Sequence, residues 1–231
     1  MIQGKSVLGI ISARGGSKRV PGKNVKMLAG KPLIAWTIIE AKKSKYVDQL
    51  FLTSDDEEII ATARQYGCEA PFIRPKELAR DDTPGIDPVL HLLQAIPKKY
   101  DLMVLLQPTS PLREANDIDQ CIEKCVNLHA PTCVSLGPLD KHPTWMFEIN
   151  KESQLVSLFP ETSNVKGTAA KGYALNGAVY VAQVDWILQA KTFISPKTVG
   201  FPMSRENSVD IDTEIDFEFA EILLSKRIGR Q

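Results

Sequence analysis

The segment Arg14–Asn24, which reads RGGSKRVPGKN, carries the residues best suited to bind a charged ligand. It contains four cationic side chains, three glycines and no carboxylate. It follows an apolar run, Val7–Ile11, that predicts a buried strand. Glycines let backbone amides approach a ligand closely, and clustered cations attract a polyanion. The segment therefore predicts a polyphosphate-binding loop, with a solvated basic turn as the alternative.

This segment matches neither of the common phosphate-binding motifs. A P-loop requires Ser or Thr after its Gly-Lys pair, whereas Gly22-Lys23 is followed by Asn24, and the GxGxxG fingerprint of dinucleotide sites is absent. In the longer, more basic loop that remains, Arg14 can fork two phosphate oxygens and Lys23 can place a point charge over the phosphate chain.

Composition narrows the class of protein. The chain has 231 residues, of which 43% are hydrophobic and 24% charged, as in an ordinary globular protein. No apolar run approaches the roughly 20 residues that span a bilayer, and no signal-peptide pattern is present, so we expect a cytoplasmic protein with no membrane partner. The four cysteines form no CxxC pair, which favours buried, reduced thiols over zinc or disulfides.

The net charge is zero, but charged residues are concentrated in a basic pole, residues 1–39, and an acidic pole, residues 206–225. Residues 1–39 carry seven cations and no acid, and residues 206–225 carry seven acids and no base. A nucleic-acid binder would carry basic charge over a whole face, so nucleic acid is not an expected partner. One pole suits phosphate and the other suits a metal ion, although two solvated faces are the common origin of such runs.

Apolar strand patterns alternate with helical patterns along the chain. The predicted strands are Val7–Ser12, Leu50–Ser54, Leu102–Gln107, Thr132–Leu136, Ala178–Ala182 and Val199–Pro202. The predicted helices are Leu33–Ser44, Glu57–Tyr66, Pro84–Ala95, Ala115–Leu128, Val184–Ala190 and Glu214–Lys226. This alternation predicts an α/β fold with a Rossmann-like, mostly parallel sheet and helices on both faces. Ligands bind beyond the carboxyl ends of such strands, where the basic loop lies.

One region interrupts the alternation. We predict one domain, residues 1–231, with residues 138–172 as an inserted arm that has little core of its own. Such an arm is either an oligomer contact or a long surface excursion.

The acidic pole contains a candidate metal site at Asp210-Ile211-Asp212. In an extended segment the two carboxylates point to one side and Ile211 to the other. Paired carboxylates suit Mg²⁺, which takes substrate phosphates as further ligands. The alternative is that Asp212 or Thr213 caps the following helix.

Two further polar clusters could bind a ligand or could serve only as a turn or a helix cap. Gln107–Arg113 ends the most apolar strand and offers amide, hydroxyl and cationic groups to a polyol or a base edge, but Pro-Thr-Ser-Pro is also ordinary turn chemistry. Asp81–Pro84 is expected to cap the helix that follows, where free amides also suit phosphate or ribose oxygens. The histidines form no catalytic arrangement with Ser or Cys, which disfavours covalent catalysis.

Taken together, these motifs resemble those of the acylneuraminate cytidylyltransferases, also called CMP-sialic acid or CMP-nonulosonic acid synthetases. The resemblance covers nearly the whole chain in the family's order. It comprises Ile10–Asn24, Gly30–Leu33, Thr53–Asp55, Arg74-Pro75, Leu105–Arg113, Leu175–Tyr180 and Ser208–Glu214. It implies a nucleotide-diphospho-sugar transferase fold and transfer of CMP from CTP to the anomeric hydroxyl of a nonulosonic acid, with release of pyrophosphate.

The resemblance also implies roles for individual residues. Arg14, Lys23 and Asn24 would hold the triphosphate, with Gly15 and Ser17 in the loop, and Arg74 and Thr83 would lie by the cytidine. Asp210 and Asp212 would hold Mg²⁺, and Arg14, Lys23 and Asp212 would serve catalysis. The sugar pocket would be lined by Gln107, Lys166, Asn176, Tyr180 and Phe193. The family implies a homodimer in which each arm reaches toward the partner's site.

The chain departs from the family pattern where the sugar is expected. Many sialic acid enzymes have Arg-Pro-Asn-Gly where this chain has Ala174-Leu175-Asn176-Gly177, and Thr192 stands where a second aromatic is common. Carboxylate recognition would then rest on Lys166 or Lys171. A legionaminic or diacetamido sugar is as consistent with this as sialic acid. The rivals are a cytidylyltransferase for an eight-carbon acid such as KDO, whose relatives carry Gly-Asp-Glu-Pro at Gln107–Ser110, and a catalytically silent nucleotide-binding protein.

Overall fold

A computed structural model describes residues 1–159 and 172–229. The strands in this part of the chain are β1 Val7–Ser12, β2 Met27–Leu28, β3 Lys31–Pro32, β4 Gln49–Thr53, β5 Leu102–Leu106, β6 Thr132–Pro138, β7 Phe147–Ile149, β8 Leu155–Ser157, β9 Tyr173–Gln183 and β10 Val199–Pro202. The α-helices are α1 Leu33–Lys43, α2 Glu57–Gln65, α3 Asp87–Ala95, α4 Ala115–Asn127, α5 Val184–Ala190 and α6 Glu214–Ile228.

A six-stranded sheet in the order β10-β6-β9-β5-β1-β4 forms the centre of the protein. β1 pairs in parallel with β4 and β5, and β10 pairs in parallel with β6. All six predicted strands are present, because each is a local apolar run that only a doubly covered sheet can bury. The predicted α/β fold with a mostly parallel sheet is confirmed.

β9 runs antiparallel to both of its neighbours, β5 and β6. The reason lies in the arm: β6 leaves the sheet at the carboxyl edge, and the chain returns at that same edge. The returning strand must therefore run in the opposite direction. As a result, the first residues of β9 lie beside the last residues of β5 and β6, at the edge where ligands are expected.

Helices cover both faces of the sheet. Successive β1 side chains alternate between two cores, with Ile11 in the core beneath α1, α2 and α4 and Ile10 in the core beneath α3 and α5. All four cysteines are buried and free, as predicted. Within residues 1–159 and 172–229, no helix is long and apolar enough to cross a membrane.

The described part of the arm consists of a short 3-10 turn and a β7–β8 hairpin. Every residue of the two strands is exposed, including Phe147, Ile149 and Leu155. Residues 147–157 thus form a hairpin whose two strands contribute nothing to the core, and the prediction of an inserted arm over residues 138–172 stays a prediction.

The predicted start of α3 was wrong. The helix begins at Asp87, after a turn in which the Asp87 amide donates to the Pro84 carbonyl at 3.0 Å. Thr83 does not cap this helix. Its hydroxyl donates to the Glu77 carbonyl at 3.1 Å. The segment before α3 is thus a separate loop that lies over the carboxyl edge of the sheet.

Arg113 is a buried cation that joins the strands of this edge. It is 1% exposed, and its guanidinium donates to the carbonyls of Gln107 and Ala178 at 3.1 and 2.9 Å and to the Thr37 hydroxyl at 2.7 Å. Burial lowers its pKa to about 10, with the Asp117 and Glu40 carboxylates opposing the shift, so it stays charged at neutral pH. The sequence predicted that this cation is available to a ligand. Instead, Arg113 holds the Gln107 loop against β9.

We expect Arg113→Met to lower the free energy of unfolding by about 3 kcal/mol, because it leaves buried carbonyl groups without a donor. Urea denaturation measures this change. Arg64→Met is the matched control: Arg64 is exposed, its guanidinium donates to the Ala70 carbonyl, and its loss should cost less than about 1 kcal/mol. Equal losses in the two variants would contradict the positioning role of Arg113.

Candidate active site

The basic loop is anchored to a small core of its own. Val20, in the middle of the loop, is fully buried with Leu33 of α1, Ile211 and Phe217 of α6. Gly22 has a φ of +63°, a left-handed conformation that glycine adopts without strain. Val20 thus fixes the middle of the loop against the acidic segment, while the cations project from the surface of the loop.

Lys23 connects the two charged poles directly. Its ammonium group donates to the Ile211 carbonyl at 2.6 Å and lies 4.0 Å from an Asp212 oxygen. Only 12% of its side chain is exposed. Burial lowers the pKa of Lys23, and the Asp212 and Asp210 carboxylates oppose this shift. A cation held this firmly is suited to stabilising charge on a bound anion.

The other loop cations also lie against carboxylates. Arg14 is 2.8 Å and Lys18 is 2.5 Å from the Asp81 carboxylate, across the mouth of the cleft. Arg19 lies 3.2 Å from Asp212. All four cations therefore converge on one cleft from the loop side.

Arg74 and Asp55 support the loop from below. Arg74 is buried, and its guanidinium donates to the Ser12 hydroxyl at 3.2 Å, the Ala13 carbonyl at 3.0 Å and the Asp55 carboxylate at 3.1 Å. The Gly15 amide donates to the same Asp55 oxygen at 3.2 Å. A Cβ on Gly15 would lie 2.5 Å from an oxygen of Asp56, which caps α2, so glycine is required there. The structure places Arg74 behind the loop, and its predicted contact with cytidine stays a prediction.

Asn24 joins the two ends of the loop. Its side-chain amide donates to the Arg14 carbonyl at 3.0 Å, and the side chain is largely buried. Ser17 makes a tight turn in which its amide donates to the Gly15 carbonyl at 2.9 Å. Both residues line the cleft, as do Arg14 and Lys23.

The acidic segment adopts the predicted alternation. Ile211 is fully buried, while Asp210 and Asp212 are exposed on the opposite side. The Ile211 amide donates to the Thr109 carbonyl at 2.8 Å, which ties the segment to the loop after β5.

The capping alternative is resolved in favour of Thr213. Its hydroxyl accepts from the Asp216 amide at 3.4 Å, and the Asp216 carboxylate accepts from the Thr213 amide at 2.7 Å, which forms a capping box. Burial works against ionisation of Asp216, but the hydrogen bonds from Thr213 prevail and lower its pKa. The Asp212 carboxylate is therefore not used by the helix and faces the cleft.

Asp210 carries an unfavourable charge in the unliganded protein. Much of its surface is open to solvent, yet the cleft walls on either side reduce its hydration. This partial burial raises its pKa, the Asp212 carboxylate raises it further, and a hydrogen bond from Thr109 opposes the shift. Burial likewise raises the pKa of Tyr180, and the nearby Asp210 charge adds to it. Two facing carboxylates of this kind are suited to a cation.

The predicted sugar-pocket residues divide into two groups. Gln107 lines the cleft, and its side-chain oxygen lies 2.8 Å from the place a Cβ on Gly177 would take; Gly177 has a φ of +73°. Tyr180 lies opposite the cleft residue Leu105 in the β5–β9 pairing, and its ring centroid is 5.1 Å from that of Phe193. These residues lie at or beside the cleft.

Asn176 is occupied by internal contacts. Its side-chain oxygen accepts from the Ser135 hydroxyl at 2.6 Å, and its amide donates to the Ser208 hydroxyl at 3.0 Å. It lines a second cavity, together with Asp210 and Ala174. Lys166 lies outside the described residues. Direct sugar contacts by any of these five residues stay predictions.

Two cavities meet at the acidic pair. The cleft between the basic loop, Gln107 and Asp212 has a volume of about 450 Å³. The cavity lined by Ala174, Arg205 and Asp210 has a volume of about 540 Å³. One aspartate lines each cavity, so the pair stands on the boundary between two ligand-sized spaces.

The donor set fits a magnesium ion that binds with its substrate. Within residues 1–159 and 172–229, no group of three or more His, Cys, Asp or Glu side chains is arranged to hold a metal. Asp210 and Asp212 supply two carboxylates whose mutual repulsion a cation would relieve, and Lys23 of the basic loop lies near both. Mg²⁺ accepts this incomplete protein shell because phosphates and waters complete it.

Sequence reasoning missed three residues that build the site. Val20 reads as one apolar residue in a polar loop, Asp81 reads as a helix cap, and Arg113 reads as a cation available to a ligand. The signal for Val20 is its isolation among cations, since an apolar side chain there needs a core. Nothing local indicates the partners of the other two.

We expect Thr213→Ala to lower the free energy of unfolding by about 1 kcal/mol, because it removes the helix cap. Asp212→Asn should cost less than about 0.5 kcal/mol, since its charge pairs are exposed to solvent. Urea denaturation at neutral pH measures both. If Asp212→Asn destabilised the protein as much as Thr213→Ala, Asp212 would have a structural role that its position does not indicate.

We expect Asp210→Asn to raise the free energy of unfolding at pH 7 in the absence of ligands. Burial raises the pKa of Asp210 above its ordinary value in the folded protein, so its ionisation costs stability above the folded-state pKa and costs nothing below the unfolded-state pKa. The gain should therefore shrink as the pH falls toward 4. Denaturation curves at several pH values, with Asp82→Asn as control, measure it, and a destabilised variant at pH 7 would refute this account.

Comparison with known proteins places the chain in a family. A family model described as cytidylyltransferase matches residues 8–171. CMP-N,N'-diacetyllegionaminic acid synthase of Legionella pneumophila is 37% identical over 227 residues, which cover 94% of this chain and 96% of that protein. Pseudaminic acid cytidylyltransferase of Campylobacter jejuni is 36% identical over 219 residues, covering 93% and 94%. N-acylneuraminate cytidylyltransferase of Escherichia coli O18:K1:H7 is 32% identical over 226 residues, covering 97% of this chain but 53% of that protein.

Solved structures agree on the fold. A CMP:2-keto-3-deoxy-manno-octonic acid synthetase complexed with CTP has a TM-score of 0.74 and covers 96% of this chain and 99% of its own, at 17% identity. The family match, the relatives above 30% identity over nearly the whole chain and the motifs at the sheet edge lead to one conclusion: the chain belongs to the cytidylyltransferase family of nucleotidyltransferases.

Proposed function

We propose that the protein transfers CMP from CTP to the anomeric hydroxyl of a nonulosonic acid and releases pyrophosphate, with Mg²⁺ as cofactor. The observation that carries the proposal is the cleft in which Lys23 and Arg19 face Asp212 at 4.0 and 3.2 Å. Such a site places cations that suit phosphate next to a carboxylate that suits a metal ion, in one ligand-sized cleft. The likeness to enzymes named for CMP-nonulosonic acid synthesis supports it.

In this proposal the basic loop binds the triphosphate. Arg14 and Lys23 stabilise the charge that develops on the leaving pyrophosphate, and Ser17 and Asn24 keep the loop in shape. Transfer of this kind depends on in-line placement and charge neutralisation more than on a covalent nucleophile. Arg74 holds the base of the loop by the hydrogen bonds described above, and Thr83 lies on the segment over the cleft, near the expected cytidine.

Asp210 and Asp212 are the proposed ligands of Mg²⁺. When bound, the ion would neutralise phosphate charge and polarise the attacking hydroxyl. The chain's own contribution is geometric: Ile211 and the Thr213 cap fix the direction of both carboxylates. Their place between the two cavities suits a reaction in which a nucleotide and a sugar meet.

The second cavity and its surroundings are the proposed sugar site. Gln107, Tyr180 and Phe193, which lie at or beside the neighbouring cleft, are proposed to contact the sugar where it meets the nucleotide, and Lys166 is the proposed partner of the sugar carboxylate. Ala174 in its lining, where many sialic acid enzymes have arginine, favours a sugar other than sialic acid. Identities of 37% and 36% to enzymes named for diacetyllegionaminic and pseudaminic acid support a nonulosonic acid of this kind. The Gln107–Ser110 sequence argues against an eight-carbon acid, and retention of Arg14, Lys23, Asp210 and Asp212 argues against a silent nucleotide-binding protein.

We further propose that the protein is a cytoplasmic homodimer with one catalytic domain and that the arm, residues 138–172, is the dimer contact. Exposed apolar side chains on the arm, including Trp145 and Ile149 at 70% and 71% exposure, support this, since a monomer gains nothing from them.

The test is to incubate the protein with CTP, Mg²⁺ and a panel of nine-carbon and eight-carbon sugar acids while monitoring pyrophosphate. We expect turnover with N,N'-diacetyllegionaminic acid. Asp212→Asn should lose about 10²-fold or more in kcat/KM, because it removes charge stabilisation and a metal ligand. Its unfolding curve should stay near that of the wild type.

The control variant is Glu218→Gln, which removes an exposed charge from α6 and should leave turnover unchanged. Absence of turnover with every sugar would refute the proposed function. Near-normal turnover of Asp212→Asn would refute its assignment as a metal ligand.

A further inference from the structure

Each cation of the basic loop is already paired with a carboxylate of the same chain. Arg19 and Lys23 face Asp212, which the proposed function uses as a metal ligand. Arg14 and Lys18 face Asp81, which has no place in that proposal. Two carboxylates therefore compensate half of the positive charge of the loop's four cations.

Asp81 contacts the two cations as a phosphate group would. One carboxylate oxygen lies 2.8 Å from the Arg14 guanidinium and the other lies 2.5 Å from the Lys18 ammonium. The hydrogen bond from Lys18, followed by the charges of Lys18 and Arg14, lowers the pKa of Asp81, so it is ionised at neutral pH. One carboxylate thus bridges two groups that are suited to phosphate.

The position of Asp81 makes this contact a closure of the cleft. It belongs to the loop between the 3-10 helix Lys76–Ala79 and α3, on the opposite side of the cleft from the basic loop. Arg14 also donates to the Ala79 carbonyl at 3.5 Å, so the two loops touch at two points. Since half of the Asp81 side chain is exposed, the ion pairs are solvated and weak enough to exchange.

We propose that Asp81 is an internal competitor that the nucleotide's phosphates must displace from Arg14 and Lys18. This inference rests on the proposed function only in taking a triphosphate as the ligand. A triphosphate carries about four negative charges against one on Asp81 and displaces it readily. A nucleotide with a single phosphate gains less from the exchange. Asp81 therefore lowers the affinity for a triphosphate, which must displace it from both cations, more than the affinity for a monophosphate, and it recaptures the cations when pyrophosphate leaves.

The test is isothermal calorimetry of inorganic triphosphate, CTP and CMP with Asp81→Asn, without metal or sugar. We expect inorganic triphosphate and CTP to bind about 3- to 10-fold more tightly than to the wild type, because two exposed ion pairs no longer compete. CMP should gain at most about twofold. The salt dependence of triphosphate binding should steepen, since the loop regains two unpaired cations.

Asp82→Asn is the matched control, because Asp82 is the adjacent exposed aspartate and makes no hydrogen bond or ion pair among the described residues. It should leave all three affinities unchanged. Unchanged triphosphate binding by Asp81→Asn would overturn the inference. Weaker binding would also overturn it, because it would show that Asp81 supports the loop. A wild-type protein that binds neither triphosphate nor CTP would instead refute the nucleotide assignment itself.

Discussion

The burial of Val20 and Ile211 in one small core is the constraint on which the site depends. These residues are 191 positions apart in the sequence, and each is the apolar member of a strongly charged segment. Burying both side chains removes apolar surface from water, while the charged side chains around them strongly prefer to stay in contact with water. The cations and the carboxylates are therefore brought face to face by the hydrophobic effect, and their attraction only refines the placement.

That arrangement leaves charges in surroundings that do not fully hydrate them. Burial lowers the pKa of Lys23, and burial raises the pKa of Asp210. Both shifts mean that burial disfavours the charged form of the side chain, the ammonium group of Lys23 and the carboxylate of Asp210. In the proposed function, a polyphosphate bound with a divalent cation would relieve both at once, since the phosphates would meet Lys23 and the metal would meet the aspartates. Groups whose charged forms are disfavoured in this way are typical of functional sites.

Much of the fold follows from local pattern, and much of the site does not. β1 and β10 match their predicted bounds because continuous apolar runs between turn residues have few other structures available. The direction of β9 depends on where the arm returns, and the start of α3 depends on a turn at Pro84. Neither is encoded in a short window of sequence. Arg113 and Asp81 differ from prediction for the same reason, since the partner of a charge is decided by tertiary packing.

The two cavities to which the proposed function assigns the nucleotide and the sugar are built from different parts of the chain. The cleft proposed for the nucleotide is built from strand ends, a buried arginine and a loop pinned by Val20, all of which are held against the central sheet or its edge. The second cavity is bounded by Ala174 at the start of β9 and by Pro138 and Asp140 at the root of the arm. Substitutions in the arm and its root alter that cavity without disturbing the strands that hold the triphosphate loop. Enzymes of one fold can therefore keep the same nucleotide chemistry while their sugar acids differ, and the Ala174 position is where this chain departs from the sialic acid pattern.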